Sequence, residues 1–223
     1  LQRQGTTIPT EEVPWGLRLA NAMVVYVQYL FNLVYPVNLT AFYPFPKSIP
    51  LWKSGGALIL LISISVAAVV KIKQWPHLFV GWFWYMGTML PQIGLVQAGL
   101  WPALADRWAY FPAIGLFIAF AWSCASFLEK RSHRERRWVI LPSLAAGTVL
   151  VWLAWVQVGY WSNSTRLFER MLTKTSGNFM AHNNLGVVLL NQGKWKEAET
   201  HFLNAIGINP RFELAFQNLG KVS

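Results

Sequence analysis

The hydrophobic residues of this chain fall into long apolar segments that alternate with short polar loops. Five of these segments are close to the length of about 20 residues that an α-helix needs to cross a bilayer. They are 15–35, 52–70, 77–96, 108–128 and 138–160. The pattern predicts an all-α fold with a multi-pass transmembrane region over residues 15–161, preceded by a cytoplasmic-side lead-in at 1–14.

Two of the five segments depart from a simple lipid-facing helix. The first contains four polar side chains within its apolar run, at Arg18, Asn21, Gln28 and Asn32. Polar side chains at membrane depth face other helices, so we expect this segment to pack inside a bundle. Pro91 and Gly94 interrupt the third segment, which predicts a kink or a re-entrant path.

The basic residues of the loops predict the orientation. Residues 129–137, between the fourth and fifth segments, contain five Lys or Arg residues, and Lys71 and Lys73 lie between the second and third. Cytoplasmic loops are enriched in Lys and Arg, so both loops are expected on the cytoplasmic side. The residues after the fifth segment are then expected in the periplasm or the ER lumen. A calmodulin-like or acidic-lipid site is the alternative role for the basic loop.

Small and aromatic residues recur at fixed spacing in the last quarter of the chain. Gly186 and Gly220 are 34 residues apart, the period of a tetratricopeptide repeat (TPR). The matching positions are Leu185, Gly186, Leu189, Ala198, Phe202, Ala205 and Pro210. The TPR region is predicted at 178–223, with one full repeat at 179–212 and the start of the next. Residues 162–177 are expected to be a linker or a degenerate TPR helix.

The repeat predicts both its own packing and a binding surface. Gly186 and Ala198 are expected where two helices cross closely, with the ring of Phe202 in the seam between them. Asparagines on the first helix of each repeat suit hydrogen bonding to the backbone of an extended peptide. The candidate groove residues are Asn183, Asn184 and Asn218. The alternative is that these amides are solvated surface groups.

Composition excludes several classes of function. The chain has 223 residues, is 54% hydrophobic, and is only 13% charged, against about 25% in soluble domains. Its net charge of +10 comes from short basic runs between apolar segments, so the predicted partner is membrane lipid and not nucleic acid. No phosphate-binding glycine loop, HExxH motif or cysteine pair occurs, and the four histidines lie at non-ligand spacings. We therefore expect neither a metal site nor a cofactor.

One polar pair precedes the fourth segment and is a candidate site. Asp106, the sole aspartate of the chain, is followed by Arg107, and Tyr110 lies three residues further on. An arginine at the membrane face forms charge-assisted bonds to a lipid-linked phosphate, with Asp106 orienting the guanidinium and Tyr110 as a further donor. The alternative is an interfacial ion pair that only anchors the start of the helix.

Two motifs resemble the transmembrane and tetratricopeptide repeat-containing (TMTC) proteins and their bacterial relatives. One is the loop Tyr35-Pro-Val-Asn38-Leu…Tyr43-Pro44, whose prolines and aromatics predict a rigid segment on the membrane surface. The other is Asp106-Arg107-x-x-Tyr110-x-Pro112-x-x-Gly115. TPRs follow the last membrane segment in the same order, so the resemblance covers the chain from about Trp15 onward.

This resemblance implies a GT-C type membrane glycosyltransferase that uses a polyprenyl- or dolichyl-phosphate sugar. In the eukaryotic TMTC proteins the sugar is mannose, transferred to Ser or Thr of proteins that the TPRs would bind. The acidic catalytic motif of the family is expected before Leu1, so this chain is expected to be a C-terminal fragment with no catalytic residue of its own. The competing readings are a non-enzymatic membrane-anchored TPR scaffold and a lipid-linked polysaccharide ligase or polymerase.

Overall fold

A computed structural model describes residues 13–37, 39–95, 102–129 and 131–222, with only the backbone at His133 and Arg134. Within these ranges the chain is helical, which confirms the predicted all-α fold class. The helices are α1 Trp15–Val34, α2 Leu51–Val70, α3 Pro76–Met89, α4 Tyr110–Glu129, α5 His133–Gly159, α6 Ser164–Lys174, α7 Phe179–Asn191, α8 Trp195–Ile208 and α9 Glu213–Leu219. Most of the predicted lead-in, residues 1–12, lies outside the described residues, as does Lys130 of the basic loop.

The chain divides into two compact units. The first comprises the described residues of 13–37 and 45–149, and the second those of 39–44 and 150–222. Within the described residues, four helices are long and apolar enough to cross a bilayer, and they are α1, α2, α4 with its preceding turn, and α5. The chain is therefore a multi-pass membrane protein.

The third predicted segment does not form one continuous helix. α3 has 14 residues, a length of about 21 Å at 1.5 Å per residue, which is shorter than a hydrocarbon core of about 30 Å. It runs into a 3₁₀ turn that contains Pro91, and Gly94 has a φ of 79°. The predicted helix 77–96 thus ends at Met89, because the interruption expected at Pro91 and Gly94 is present.

α3 and α4 form a closely packed antiparallel pair in the first unit. His77, at the start of α3, contacts Ser123 near the end of α4, and Trp84 bonds to the carbonyl of Phe111 at its start. The helices touch at Gly81 and Gly115, where an added Cβ would collide with the backbone or side chains of the other helix. Small residues at the contact are typical of membrane helix pairs. This pairing puts residues 71–75 at the same end of the unit as Glu129 and Arg131, consistent with the predicted location of both loops on one side of the membrane.

α5 begins with a capping box, and the apolar side chains that follow are not buried by the rest of the chain. The backbone N–H and the hydroxyl of Ser132 both donate to the Glu135 carboxylate, at 2.8 and 2.9 Å, and the Glu135 N–H donates back to the Ser132 hydroxyl. No described residue of α5 is buried, although the helix is strongly apolar. A helix that is apolar on all sides is stable in contact with lipid or with further helices.

The tail folds as the repeat pattern predicts. α7 and α8 pack around a core of Leu185, Leu189, Ala198 and Phe202, and the turn between them contains Gly193 at a φ of 77°. Side chains of α6 cover this core, so residues 162–177 contain a helix that packs on the repeat rather than a free linker. The side-chain oxygen of Asn163 caps α6 by accepting from the backbone N–H groups of Thr165 and Arg166.

Replacing Gly186 by alanine is expected to loosen the repeat. An added Cβ would lie 2.6 Å from Cε1 of the fully buried Phe202 ring. Overpacking costs about 1–3 kcal/mol, which equals or exceeds the roughly 1 kcal/mol that alanine gains over glycine in a helix. Hydrogen-exchange mass spectrometry of the whole chain should show faster exchange in α7 and α8. Gly207→Ala in α8 is the control, because its Cβ meets nothing within 4 Å, and its exchange should be unchanged or slower.

Candidate functional site

A short extended segment enters the interior of the first unit just before the candidate residues. Ala103, Leu104 and Ala105 are 7%, 5% and 0% exposed, although they lie outside any helix. The Asn21 side chain of α1 donates to the carbonyl of Ala103 at 3.4 Å. Non-helical backbone is tolerated in a membrane protein only where protein or water satisfies its polar groups, and here α1 provides a partner.

Tyr29 of α1 bonds to both backbone groups of Ala105, whose carbonyl also accepts from the Trp108 N–H at 2.9 Å. The Tyr29 hydroxyl donates to the Ala105 carbonyl at 2.9 Å and accepts from the Ala105 N–H at 3.0 Å. Tyr29 is completely buried, so water does not replace either bond. The extended segment is thereby held in register against α1, and the 3₁₀ turn Asp106–Ala109 that leads into α4 is held with it.

The three predicted donor-site residues follow directly after this anchored segment. Asp106 is half-buried and accepts a hydrogen bond from the Asn32 amide at 3.1 Å. Arg107 is exposed, with its Cζ atom 5.7 Å from the centroid of the Trp108 ring, and Tyr110 is 77% exposed at the start of α4. Both Arg107 and Tyr110 are thus accessible to a ligand. The orienting role of Asp106 towards Arg107 stays a prediction, because the contact shown for its carboxylate is with α1.

The sequence motif indicates these three residues but not the side chains of α1 that position them. Asn21, Tyr29 and Asn32 lie on one face of the helix, together with the buried Arg18. The polar residues of the first segment predict that α1 packs inside a bundle, and in the structure Arg18 and Asn21 are buried and Gln28 and Asn32 half-buried. The available signal was the spacing of the polar residues 18, 21, 28 and 32 at intervals of three, seven and four, because such intervals mark one helix face.

Residues 39–44 of the predicted membrane-surface loop pack within the second unit. The ring centroids of Phe42 and Phe179 are 6.1 Å apart, and those of Phe179 and Phe212 are 4.9 Å apart. The buried Asn178 side chain donates to the Phe42 carbonyl at 3.2 Å and also caps α7. The aromatic loop is therefore part of the packing around the first repeat, and Asn38 of its motif lies outside the described residues.

The candidate groove asparagines form one chain of hydrogen bonds. Asn218 donates to Asn183 at 3.0 Å, Asn183 donates to Asn184 at 3.3 Å, and Lys221 donates to Asn218 at 2.9 Å. Asn183 and Asn218 are only 4% and 8% exposed, whereas Asn184 is half-buried. The structure thus brings the three residues together, but two of them bond mainly to each other. Their binding of a peptide stays a prediction.

Two histidines of the repeat face each other. The Nδ1 atoms of His182 and His201 are 3.0 Å apart, so one must donate a proton and the other must be neutral to accept it. Burial lowers the pKa of both rings, and the neighbouring His201 lowers that of His182 further. Glu197 and Glu169 partly oppose the lowering at His201. Within the described residues no group of three His, Cys, Asp or Glu side chains is placed to hold a metal ion.

The repeat is expected to be less stable in mild acid. The pKa of each histidine is lower in the folded repeat than its value of about 6.5 in an unfolded chain, so this stabilisation is present above pH 6.5 and is lost as the pH falls. Hydrogen exchange in α7 and α8, corrected for intrinsic rates, should be faster at pH 5.5 than at pH 7.5 (about one unit either side of that value). A His182→Gln, His201→Gln variant should lose most of this difference. An equal pH dependence in the variant would contradict the assignment.

This chain is similar to several known proteins, and one segment of it matches a repeat family. The tetratricopeptide repeat family model matches residues 179–212. Protein O-mannosyl-transferase F38B6.6 of Caenorhabditis elegans is 26% identical over 204 residues, which cover 88% of this chain and 28% of the relative. No solved structure gives a significant match.

Two mammalian proteins are also similar. Protein O-mannosyl-transferase TMTC1 of Homo sapiens is 23% identical over 167 residues, and that of Mus musculus is 26% identical over 172 residues. Each alignment covers 74% of this chain, but only 19% and 18% of the relative. The chain thus spans less than a third of the length of the relatives it matches. It resembles TMTC proteins along most of its length, and it contains the tetratricopeptide repeat predicted at 179–212.

Proposed function

We propose that this chain is part of an integral membrane glycosyltransferase that transfers a sugar from a polyprenyl- or dolichyl-phosphate donor to protein Ser or Thr. The observation that carries the proposal is the anchored segment 102–106, which presents an exposed Arg107 and Tyr110 at the start of a membrane helix. The names of the similar relatives favour mannose as the sugar.

The transfer step assigns a role to Arg107. The acceptor oxygen forms a bond to the anomeric carbon of the sugar while the bond from that carbon to the phosphate oxygen breaks. The hydroxyl proton passes to a carboxylate elsewhere in the whole protein, and the lipid phosphate leaves with the added negative charge. Arg107 stabilises that charge through paired hydrogen bonds, because its planar guanidinium matches two phosphate oxygens.

The TPR region is proposed to lie on the non-cytoplasmic side and to bind the acceptor protein. The basic residues 129–137 favour this orientation, since they resist translocation. Cysteine labelling of intact cells tests it, with Ser132→Cys and Asn191→Cys introduced separately into a Cys124→Ala background. Asn191→Cys should react with an impermeant reagent from the non-cytoplasmic side and Ser132→Cys should not. The reverse pattern would overturn the orientation.

The test of activity is sugar transfer by the full-length protein. A mannosyl-phosphoryl polyprenol of natural configuration is the donor, and transfer to Ser or Thr of a folded acceptor protein is detected by mass spectrometry. Release of the lipid phosphate should match the sugar transferred. A full-length protein that binds acceptors but transfers no sugar would be a membrane-anchored TPR scaffold instead.

Replacing the hydrogen-bonded asparagines is expected to lower sugar transfer to protein acceptors but not to short peptides. In the full-length protein, Asn183→Ala combined with Asn184→Ala should lower transfer to a protein acceptor several-fold, because the first repeat loses amides that bond to the acceptor backbone. Transfer to a short soluble peptide should be unchanged.

Two controls accompany this variant. Asn204→Ala changes an exposed asparagine of α8 and should leave both substrates unaffected. Because Asn183 is buried, hydrogen exchange in α7 must be measured to establish that the repeat is still folded. A folded variant with equal losses on both substrates would contradict a role in acceptor docking.

A further inference from the structure

A polar cavity opens between the start of α3 and the end of α4. Its volume is about 500 Å³, and its polar lining includes Gln74, His77, Ser123, Ser126 and Arg131, together with one carboxylate, Glu129. This end of the first unit is distant from the candidate donor site, because Arg107 precedes α4 and Arg131 follows it. The cavity is therefore separate from the site of sugar transfer proposed above.

An apolar groove continues from this cavity along the seam of the same two helices. The groove has a volume of about 390 Å³ and is lined by aliphatic and indole side chains, among them Val80, Trp84, Ile118 and Trp122. His77 lines both spaces, so the polar cavity and the apolar groove meet at this residue. A polar chamber joined to an apolar groove matches a molecule with a polar head and a hydrocarbon chain.

The position of His77 is fixed at this junction. The hydroxyl of Ser123 donates to the carbonyl of Ala119 at 2.8 Å, so its oxygen accepts from Nε2–H of His77 at 2.9 Å. The ring also stacks on Trp75, with 6.3 Å between centroids. The His77 ring is thereby held where the cavity and the groove meet, and Nδ1 is its second polar atom.

The positive charges around the cavity favour a lipid headgroup with a negative charge. Residues 71–75 and 129–137 together contain seven Lys or Arg residues and two Glu residues, a net charge of +5. The ammonium of Lys71 lies 5.8 Å from the centroid of the Trp75 ring that lines the cavity. Arg131 forms an exposed ion pair with Glu135 at 3.5 Å, and a phosphate would compete with that weak pair for its guanidinium.

Indole rings place the cavity at the depth of lipid headgroups. Trp75 and Trp138 are 47% and 77% exposed at this end of the helices, and Trp side chains concentrate at the boundary between lipid and water. We propose that the cavity and the groove together bind one anionic phospholipid, with its phosphate near Lys71, Gln74 and Arg131 and one acyl chain along the α3–α4 seam.

Native mass spectrometry of the whole chain in mild detergent tests the proposal. Phosphatidylserine should bind in one-to-one complexes at concentrations at which phosphatidylcholine does not. Lys71→Ser combined with Arg131→Ser should weaken phosphatidylserine binding by about 20- to 30-fold, since each basic residue near an anionic surface contributes roughly fivefold. Val80→Trp, at an exposed position of the groove, should weaken binding without changing the preference for the anionic lipid.

A matched control removes two charges from the other end of the unit. Lys47→Ser combined with Lys53→Ser alters exposed lysines outside both spaces and should leave binding unchanged. Equal binding of the two phospholipids, or equal losses in both double variants, would overturn the proposal. Displacement of phosphatidylserine by an equal amount of polyprenyl phosphate would identify a different lipid. Inorganic phosphate at about millimolar concentration, the range of weak headgroup affinity, is a further competitor. If it displaces phosphatidylserine, no acyl chain is bound in the groove. None of these outcomes depends on sugar transfer.

Discussion

Replacing Arg107 by lysine is expected to lower the rate of sugar transfer by the full-length protein by roughly 30- to 1,000-fold. Lysine keeps the charge but lacks the planar pair of donors that bonds two phosphate oxygens at once. Losing one such contact to a partly desolvated transition state costs about 2–4 kcal/mol. The residue is exposed next to Trp108, so the change should leave the fold intact.

Asp106→Asn is expected to reduce transfer by less than Arg107→Lys. The side chain of Asn32 donates to the Asp106 carboxylate at 3.1 Å, and an amide oxygen in the same place still accepts that bond. Arg166→Lys, an exposed arginine of α6, is the matched control and should have no effect. Transfer from a lipid-phosphate donor is measured for each variant along with its expression. A folded Arg107→Lys protein with near-normal turnover would show that the residue only anchors the start of α4.

Removing the hydroxyl of Tyr29 is expected to destabilise the first unit by about 1.5–4.5 kcal/mol. Tyr29→Phe removes the partner of the Ala105 N–H and one of two partners of its carbonyl, which keeps the bond from the Trp108 N–H at 2.9 Å. Ala105 is fully buried, so the unsatisfied N–H costs about 1–3 kcal/mol and the bond lost at the carbonyl about 0.5–1.5 kcal/mol. The phenyl ring fills the same space, so the change isolates the two bonds.

Unfolding of the whole chain by denaturant in mixed micelles measures this loss. Tyr35→Phe is the control, because that ring is 54% exposed just after α1, and its free energy of unfolding should change by less than about 0.5 kcal/mol. A Tyr29→Phe protein as stable as the original would mean that segment 102–106 is not held by α1. Such a result would also remove the support for a fixed position of Arg107.

The repeat was predicted almost completely from the sequence because its contacts are local. Gly186 and Phe202 are 16 residues apart, and the spacing of small and large residues encodes which faces meet. The location of the break in the third membrane segment was also predicted, since proline and glycine act on their own backbone. The candidate residues Asp106, Arg107 and Tyr110 were identified by their type and by resemblance.

The contacts that hold the candidate site in place join residues far apart in the sequence, so the local sequence pattern does not predict them. Tyr29 and Ala105 are 76 residues apart, and nothing near Ala105 in sequence indicates that its backbone will be buried. The partners of the loop around Phe42 were not predicted for the same reason, because an aromatic run suits both a membrane surface and a packed interior. Its partners, Asn178 and Phe179, are likewise far along the chain.

The burial of segment 102–106 has a consequence for biosynthesis. Ala105 is synthesised 76 residues after Tyr29, an interval of roughly 4–15 s at 5–20 residues per second. During that time Asn21, Tyr29 and Asn32 have no segment to bond to, and polar side chains are costly to leave in lipid. We therefore expect α1 to stay beside the insertion machinery, or beside a membrane chaperone, until the start of α4 emerges from the ribosome.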